Sequence, residues 1–277
     1  MQFGFIGLGD QGGAMAKMIL QAGLPLGVWA RKPAAVAPFV AEGASAAESA
    51  AALAAQCDVL SICVTTDADV REVVFDYGVL DAMRPNSVIA IHSTVLPSLS
   101  IEIQAAAAPL KVGVLDAPVS GSARAALNKT LLVMVGGTAD NYQKALPAFE
   151  AYGNPIFHIG ACGMAMQTKL INNVMAAAHK GVAIRALRTA TNLGLDAKLV
   201  QNVVLSGVGR SMGLEIVGRL QDPARARHIC GLVKKDMALA REALPAKELA
   251  PLFALADEAI AAMTEWSEGR ALLFAEG

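Results

Sequence analysis

A lysine and two asparagines lie together in an otherwise apolar run, Lys169-Leu170-Ile171-Asn172-Asn173. Lys169 and Asn173 are four residues apart, so they would share one face of an α-helix. A lysine ammonium can donate a proton to an oxyanion, and the neutral amine can take a proton back. We therefore predict that Lys169 is a general acid and base and that Asn173 either holds the substrate hydroxyl or orients the lysine. The alternative is a surface lysine whose stem covers apolar groups.

A glycine-rich segment, Gly7-Leu8-Gly9-Asp10-Gln11-Gly12, follows a short apolar run near the start of the chain. The run at residues 3–6 predicts a strand, and residues 13–21 predict a helix. In this setting, Gly7 permits a tight turn, Gly9 lets the backbone approach a pyrophosphate, and Gly12 lets the helix pack on the strand. The first N–H groups of the helix would face the phosphates. The segment therefore predicts a dinucleotide-binding site.

The second predicted strand ends in two cations, Arg31 and Lys32. A protein that binds NAD usually has an acid about 20 residues after the glycine loop, where it accepts a hydrogen bond from the ribose 2′-hydroxyl. No acid occurs in residues 28–32. The planar fork of Arg31 suits a 2′-phosphate, and Lys32 adds positive charge. We predict that NADP(H) is favoured over NAD(H); the alternative is that both are solvated surface cations.

The elements that position these residues change character near residue 160. Before that point, β-branched runs alternate with alanine-rich helical stretches, which indicates a parallel sheet covered by helices on both faces. The predicted strands are 2–6, 26–30, 59–64, 88–91, 112–116 and 131–135. Residues 163–193 predict one long helix, with Gly194 as its cap and Gly181 as a point of close packing. Further helical patterns cover 196–205, 225–243, 247–263 and 267–274.

The predicted fold class is therefore α/β. We expect an N-terminal, Rossmann-type, doubly wound parallel sheet in residues 1–162, and an all-α domain in residues 163–277, joined by the long helix. The net charge of −1 and the scattered cations predict no nucleic-acid partner and no membrane-surface partner. We expect no membrane-spanning helix and no signal peptide, and hence a cytoplasmic protein. Four cysteines without metal-site spacing predict no bound metal.

Several motifs, in order along nearly the whole chain, resemble those of the β-hydroxyacid dehydrogenase family. They are residues 7–15, Ser93-Thr94 followed by Pro97, Asp116-Ala117-Pro118-Val119-Ser120-Gly121, Gly163 with Lys169-Leu170-Ile171-Asn172-Asn173, and Lys235-Asp236. The resemblance implies an NAD(P)-dependent dehydrogenase or reductase of EC 1.1.1 type. It would transfer a hydride between the nicotinamide and a small carboxylic acid, either a semialdehyde or a 3-hydroxy acid.

The resemblance also implies roles for residues outside the two main motifs. On the cofactor side these are Val64, Thr65, Thr66, Ser93, Thr94 and Lys235. On the substrate side they are Ser120, Gly121, Ser122, Asn172 and His228. From the residues alone, the Ser120 hydroxyl and the N–H groups of Gly121 and Ser122 could hold a carboxylate or form an ordinary turn. Ser93-Thr94 could cap the helix after Pro97, either instead of or in addition to a cofactor role. Lys235 could lie on a solvated helix face, and His228 could be an ordinary helix histidine with its hydrogen bonds satisfied.

The chain departs from the family pattern at positions that border the implied substrate site. Ser122, Ala125 and Lys129 stand where the family has glycines, Thr65-Thr66 where many members have Leu-Pro, and His228 where an aromatic residue is common.

Two other functions stay open, an imine reductase-like enzyme and a non-catalytic dinucleotide-binding regulator; the presence of Lys169 argues against both. His92 is the rival candidate for the acid and base. The long apolar helix predicts a homodimer or a homotetramer.

Overall fold

The computed structural model of the chain describes residues 1–220 and 222–270. The chain folds as two compact units, of which the first is Met1–Lys169 and the second begins at Leu170. The domain boundary expected between residues 162 and 163 stays a prediction.

The first unit contains one sheet. Its strands within the described residues are β1 (Phe3–Ile6), β2 (Leu26–Trp29), β3 (Ser45–Ala46), β4 (Val59–Ile62), β5 (Val88–Ile91), β6 (Gly113–Asp116), β7 (Val119–Ser120), β8 (Leu131–Gly136) and β9 (Gly153–Gly160). Their order is β3-β2-β1-β4-β5-β6-β8-β7, and β9 pairs with β8. All neighbours from β3 to β6 run parallel. The order reverses beside β1, so the carboxyl ends of β1 and β4 flank the crevice where such sheets bind ligands.

Helices connect these strands and cover both faces of the sheet. They are α1 (Asp10–Gln21), α2 (Ala37–Ala41), α3 (Ala50–Ala54), α4 (Asp67–Arg71), α5 (Val79–Ala82), α6 (Pro97–Ala107), α7 (Ala123–Leu127) and α8 (Ala139–Tyr152). Helix α4 continues directly into a π-helical segment, Glu72–Asp76, and short 3₁₀ turns occur at Pro33–Ala35 and Ala108–Leu110.

Apolar side chains fill both faces of the sheet, because successive residues of a strand point to opposite sides. On one face, Phe5 packs in a core with Met15 of α1 and Phe149 of α8. On the other face, Ile89 packs in a second core with Leu99 of α6. The prediction of a doubly wound, Rossmann-type sheet is confirmed.

Parts of the sheet differ from the predicted pattern. Strand β8 runs antiparallel to β6 and β7, because the segment between β6 and β8 holds only β7 and the short α7 and no crossover helix that could restore a parallel direction. Strands β3, β7 and β9 were not predicted. The first two have two residues each, and β9 contains glycine, asparagine and proline, which are depleted in strands.

Within its described residues, the second unit consists of helices and the turns that connect them. Its helices are α9 (Met164–Asn192), which starts in the first unit, α10 (Ala197–Ser206), α11 (Met212–Val217), α12 (Pro223–Ala243) and α13 (Ala246–Ser267). The long helix and the next three predicted helices are confirmed, whereas α11 was not predicted. The start of the helix predicted at 267–274 is wrong, because α13 continues to Ser267 and the chain turns at Glu268. Residues 271–274 lie outside the described residues.

Two glycines of the long helix behave as expected. Gly194 has φ +74°, and its N–H donates to the carbonyl of Thr191 at 2.9 Å, so it terminates α9. A Cβ atom at Gly181 would lie 2.0 Å from the carbonyl oxygen of Leu255, so α9 packs directly against the backbone of α13. In the described parts of the chain, no helix combines the length and the apolar character needed to cross a membrane.

Candidate active site

The glycine loop packs tightly against the end of β4. Gly7 has φ +97°, and a Cβ atom there would lie 2.1 Å from the carbonyl oxygen of Cys63. A Cβ atom at Gly12 would lie 2.0 Å from the carbonyl oxygen of Gly7. A Cβ atom at Gly9, in contrast, would meet no atom within 4 Å. The loop is therefore closed toward the sheet and open on the side of Gly9.

The open side of the loop fits a dinucleotide pyrophosphate. Helix α1 begins directly after Gly9, and no side chain caps it, so the N–H groups of its first turn are available to an anion. In the same turn, Asp10 is exposed and Gln11 is partly buried. The Gln11 Nε2 atom is buried and has no hydrogen-bond partner among the described residues. Such a buried donor is rare in a folded protein unless a ligand or water satisfies it.

A cavity of about 490 Å³ extends from this loop past the end of β2. The predicted cofactor residues that line it are Gly7, Leu8, Gly9, Arg31, Lys32, Val64 and Thr65. Two carboxylates that the sequence analysis missed, Asp69 and Glu72, also line it. Arg31 Nη2 lies 3.2 Å from Asp69 Oδ1, and Arg31 Nη1 lies 3.4 Å from Glu72 Oε2. The structure thus brings the predicted cations together with two acids.

A hydrogen bond joins the segment that follows β4 to the segment that follows β5. The Ser93 hydroxyl accepts a hydrogen bond from the N–H of Val64 at 2.9 Å. Thr66 begins α4 and forms a capping box with Asp69: its hydroxyl donates to Asp69 Oδ2 at 2.7 Å and accepts from the Asp69 N–H at 3.1 Å. The residue that precedes α6 as its N-cap is Leu96. The alternative in which Ser93-Thr94 caps that helix is therefore wrong.

Asp116 ties the carboxyl end of β6 to the start of α9. Its carboxylate is fully buried and accepts hydrogen bonds from the N–H groups of Gly163 at 2.8 Å and Met166 at 2.7 Å. Burial disfavours the charged form and raises the pKa of Asp116, while the two N–H groups act in the opposite direction. Asp116 therefore fixes the first turn of the helix that carries Lys169, a role that its motif alone did not indicate.

The turn predicted to hold a carboxylate lies after β7. Ser120 is half-buried, and Gly121 and Ser122 are exposed. Gly121 has φ +138°, and the side chain of Ser122 makes no capping hydrogen bond to α7. A few residues on, Lys129 has φ +55°, a conformation that favours glycine.

Lys169 is buried on α9, with 8% of its surface exposed. Within the second unit, Asn173 Nδ2 donates to Asp236 Oδ2 at 2.7 Å, and Asn172 Nδ2 donates to Asn173 Oδ1 at 3.1 Å. Lys235 Nζ lies 3.3 Å from Asp236 Oδ1. The structure thus groups three predicted residues around Asp236, which the sequence analysis left without a role. His228 is exposed, two helical turns before Lys235 on α12.

His92, the rival acid and base, is buried in the core of the first unit. Its Nδ1 lies 2.7 Å from the carbonyl oxygen of Ala117, and its Nε2 lies 3.2 Å from the Ser61 hydroxyl and 3.3 Å from the Tyr152 hydroxyl. Burial lowers the pKa of His92 to about 4. The ring is therefore neutral at neutral pH, and its hydrogen bonds are used by the core.

The buried His92 makes the stability of the protein sensitive to acid. Its pKa falls from 6.5 to about 4 on folding, so the stabilisation is complete above pH 6.5 and is lost as the pH falls toward 4. The loss would be on the order of 3 kcal/mol. We expect the free energy of unfolding, measured by urea denaturation at pH 7 and pH 5, to change less in His92→Gln than in the wild type. Equal pH dependence in both proteins would contradict this expectation.

No group of three or more His, Cys, Asp or Glu side chains within residues 1–220 and 222–270 could hold a metal ion.

Comparison with known families gives two matches that together span nearly the whole chain. Residues 2–160 match the NAD binding domain of 6-phosphogluconate dehydrogenase. Residues 163–271 match a family described as NAD-binding of NADP-dependent 3-hydroxyisobutyrate dehydrogenase.

Individual relatives agree with these matches. The chain is 35% identical over 255 residues to the NAD-dependent L-serine dehydrogenase of Pseudomonas aeruginosa, which covers 88% of this chain and 86% of that protein. The structure of 3-hydroxyisobutyrate dehydrogenase from Salmonella typhimurium superposes with a TM-score of 0.83 at 31% identity, over 97% of this chain and 95% of that one. A 3-hydroxyisobutyrate dehydrogenase from Mycobacterium tuberculosis, solved with L-serine, has a TM-score of 0.81 at 27% identity, over 99% and 97%. The chain belongs to the β-hydroxyacid dehydrogenase family, and it is a nicotinamide-dependent dehydrogenase that acts on a CH–OH group.

Proposed function

We propose that this enzyme transfers a hydride between NADP(H) and a small carboxylic acid that bears a carbonyl or a hydroxyl group, as a semialdehyde or a 3-hydroxy acid. The observation that carries the proposal is the position of buried Lys169. It follows the turn of α9 that Asp116 holds at the carboxyl edge of the sheet. The glycine loop and the ends of β4 and β5 lie at the same edge, because these strands are parallel.

The proposed reaction requires hydride transfer, proton transfer and positioning of the substrate, and each step is assigned to a separate group. The bound nicotinamide supplies or accepts the hydride. Lys169 gives a proton to the substrate oxygen in reduction and takes it back in oxidation. Asn173 holds the substrate hydroxyl, and the hydrogen bond to Asp236 fixes the orientation of its amide. In the second unit, Asn172 and His228 are proposed to contact the substrate and Lys235 the cofactor; in the first unit, Ser93 and Thr94 are proposed to contact the cofactor.

A preference for NADP(H) is supported by the charges at the end of β2. Arg31 and Lys32 both line the cavity, and residues 28–32 contain no acid. The guanidinium of Arg31 can make two parallel hydrogen bonds to a phosphate. The matched family of the second half is described as NADP-dependent, whereas the relative in Pseudomonas aeruginosa is named NAD-dependent.

The substrate carboxylate is predicted to bind the turn at Ser120, Gly121 and Ser122. A serine hydroxyl and successive N–H groups can each donate to a carboxylate oxygen. Hydroxy acids and semialdehydes should therefore react with a kcat/KM about 10- to 100-fold above that of neutral alcohols and aldehydes of the same length. A steady-state panel, run with NADPH and NADH side by side, tests this, and a cyclic imine in the panel tests the imine reductase alternative.

Two variants test whether the turn at Ser120 causes the preference for acids in that panel. Ser120→Ala should lower the advantage of the acid over its neutral analogue, because one donor to the carboxylate is lost. Ser206→Ala removes a serine hydroxyl on α10, outside the proposed site, and should leave the advantage unchanged. If a decarboxylated analogue reacts as fast as its acid, the assignment of the turn is wrong.

We also propose that the enzyme is a cytoplasmic homodimer or homotetramer. Large apolar side chains of α9, namely Ile171, Met175 and Val182, are between 45% and 51% exposed, and such surfaces mark association between proteins. Cys57, Cys162 and Cys230 are buried thiols rather than disulfides, which suits a reducing compartment. Light scattering of the purified protein measures the mass of the assembly. A mass equal to that of one monomer would contradict this proposal.

A further inference from the structure

Arg31 is held between two carboxylates in the cofactor cavity. Its side chain is 58% exposed, whereas those of Asp69 and Glu72 are 19% and 38% exposed. Both acids lie on the helical segment that follows β4, and all three side chains line the same cavity. The end of β2, where an NAD-binding acid is usually found, has none. The acids of this region therefore come from the neighbouring element.

Both carboxylates are oriented by other groups. The Thr66 hydroxyl donates to Asp69 and lowers the pKa of its carboxyl, so Asp69 is ionised at neutral pH. The Glu72 carboxylate, acting as a hydrogen-bond acceptor, raises the pKa of Tyr77, so the two side chains lie close together. The Tyr77 ring in turn packs edge-on against Trp29, with ring centroids 5.4 Å apart, and Trp29 lines the cavity. Glu72 is therefore positioned beside Arg31 by a second contact.

We propose that Glu72, with Asp69, is a specificity-determining residue that limits the preference for NADP(H) over NAD(H). The inference rests on the proposed binding of a 2′-phosphate by Arg31. A 2′-phosphate must displace the carboxylates from the guanidinium, and its negative charge is repelled by them. The ribose 2′-hydroxyl of NAD(H) carries no charge and can donate a hydrogen bond to the same carboxylates. Glu72 thus weakens the binding of one cofactor and supports the other.

The experiment isolates the adenosine end of the cofactor. The probes are adenosine 2′,5′-bisphosphate, which carries the 2′-phosphate, and 5′-AMP, which lacks it, each titrated calorimetrically into the full-length protein. Glu72→Gln keeps the shape of the side chain and removes its charge. It should tighten binding of the bisphosphate by about three- to tenfold. Binding of 5′-AMP should weaken by no more than about twofold, because the amide oxygen of Gln can still accept a hydrogen bond from the 2′-hydroxyl. The ratio of kcat/KM for NADPH to that for NADH should rise by a similar factor.

Two further variants separate the possible failures. Glu102→Gln removes the charge of an exposed glutamate that pairs with Arg71, and it should change neither titration. Arg31→Ala should weaken the bisphosphate in the wild-type background. If Arg31→Ala weakens it but Glu72→Gln leaves it unchanged or weaker, only the role of Glu72 is overturned. If Arg31→Ala has no effect, the proposed 2′-phosphate site fails, and the role of Glu72 fails with it.

Discussion

Replacing Lys169 with alanine should lower turnover by at least about 10²-fold while leaving the affinity for NADPH nearly unchanged. The substrate oxygen exchanges a proton in each catalytic cycle, and general acid–base catalysis by a side chain is typically worth about 10²- to 10⁴-fold. In the proposed site, the cofactor is held by the glycine loop and Arg31. Lys169 makes none of these proposed contacts, so its loss should not weaken cofactor binding. Single-turnover kinetics and a fluorescence titration of NADPH measure the two quantities separately.

Because the Lys169 side chain is buried, the alanine variant needs a second variant as a control for packing. With 8% of its surface exposed, truncation to alanine leaves a cavity that could itself disturb the helix. Lys169→Met fills most of that volume and removes only the ammonium. A loss of turnover shared by both variants, with unchanged thermal unfolding in Lys169→Met, assigns the effect to the missing proton donor. Near-normal turnover in either folded variant would refute the role of Lys169.

Arg31→Asp should reverse the cofactor preference. The substitution removes the proposed partner of the 2′-phosphate and places a negative charge at the end of β2, where NAD-binding proteins commonly carry an acid. We expect kcat/KM with NADPH to fall by at least about 10²-fold, since a charge-assisted hydrogen bond is lost and a repulsion is added. The value with NADH should stay the same or rise.

A charge-matched control separates this effect from a general change in net charge. Arg185→Asp makes the same change on an exposed arginine of α9 that pairs with Glu258 and does not line the cofactor cavity. It should leave the ratio of the two cofactors unaltered. Equal or better efficiency of the wild-type enzyme with NADH would already contradict the proposed preference, and an unchanged ratio in Arg31→Asp would remove Arg31 from the site.

Local backbone constraints made much of the glycine loop predictable from the sequence. Gly7 and Gly12 stand where a Cβ atom would meet a carbonyl oxygen, and that requirement is visible as glycine in a fixed spacing. The carboxylates that pair with Arg31 have no such local signal. Glu72 is 41 residues away from Arg31 in the chain, and the two meet because the sheet places β4 two strands from β2. Long-range pairs of this kind depend on the strand order.

The positions after Gly121 at which the family has glycine show a different limit on what can be predicted from the sequence. From the sequence, Lys129 is a departure from the family pattern. In the structure, Lys129 has φ +55°, a left-handed conformation of the kind that favours glycine. A lysine pays some strain for this conformation, since a Cβ atom disfavours it. The loss of a glycine from the sequence therefore did not reveal that the backbone at this position is left-handed.

The hydrogen bonds of Asp116 bear on how relatives of this protein should be recognised in genomes. Its carboxylate is buried against the start of α9 and serves the folded architecture rather than the reacting atoms. Under the proposed mechanism, a descendant that lost Lys169 would lose the reaction but would still need Asp116 to begin the same helix. The Asp-Ala-Pro motif is therefore expected to mark the shared fold, whereas Lys169, if its proposed role holds in the turnover test above, is the better indicator of an active enzyme.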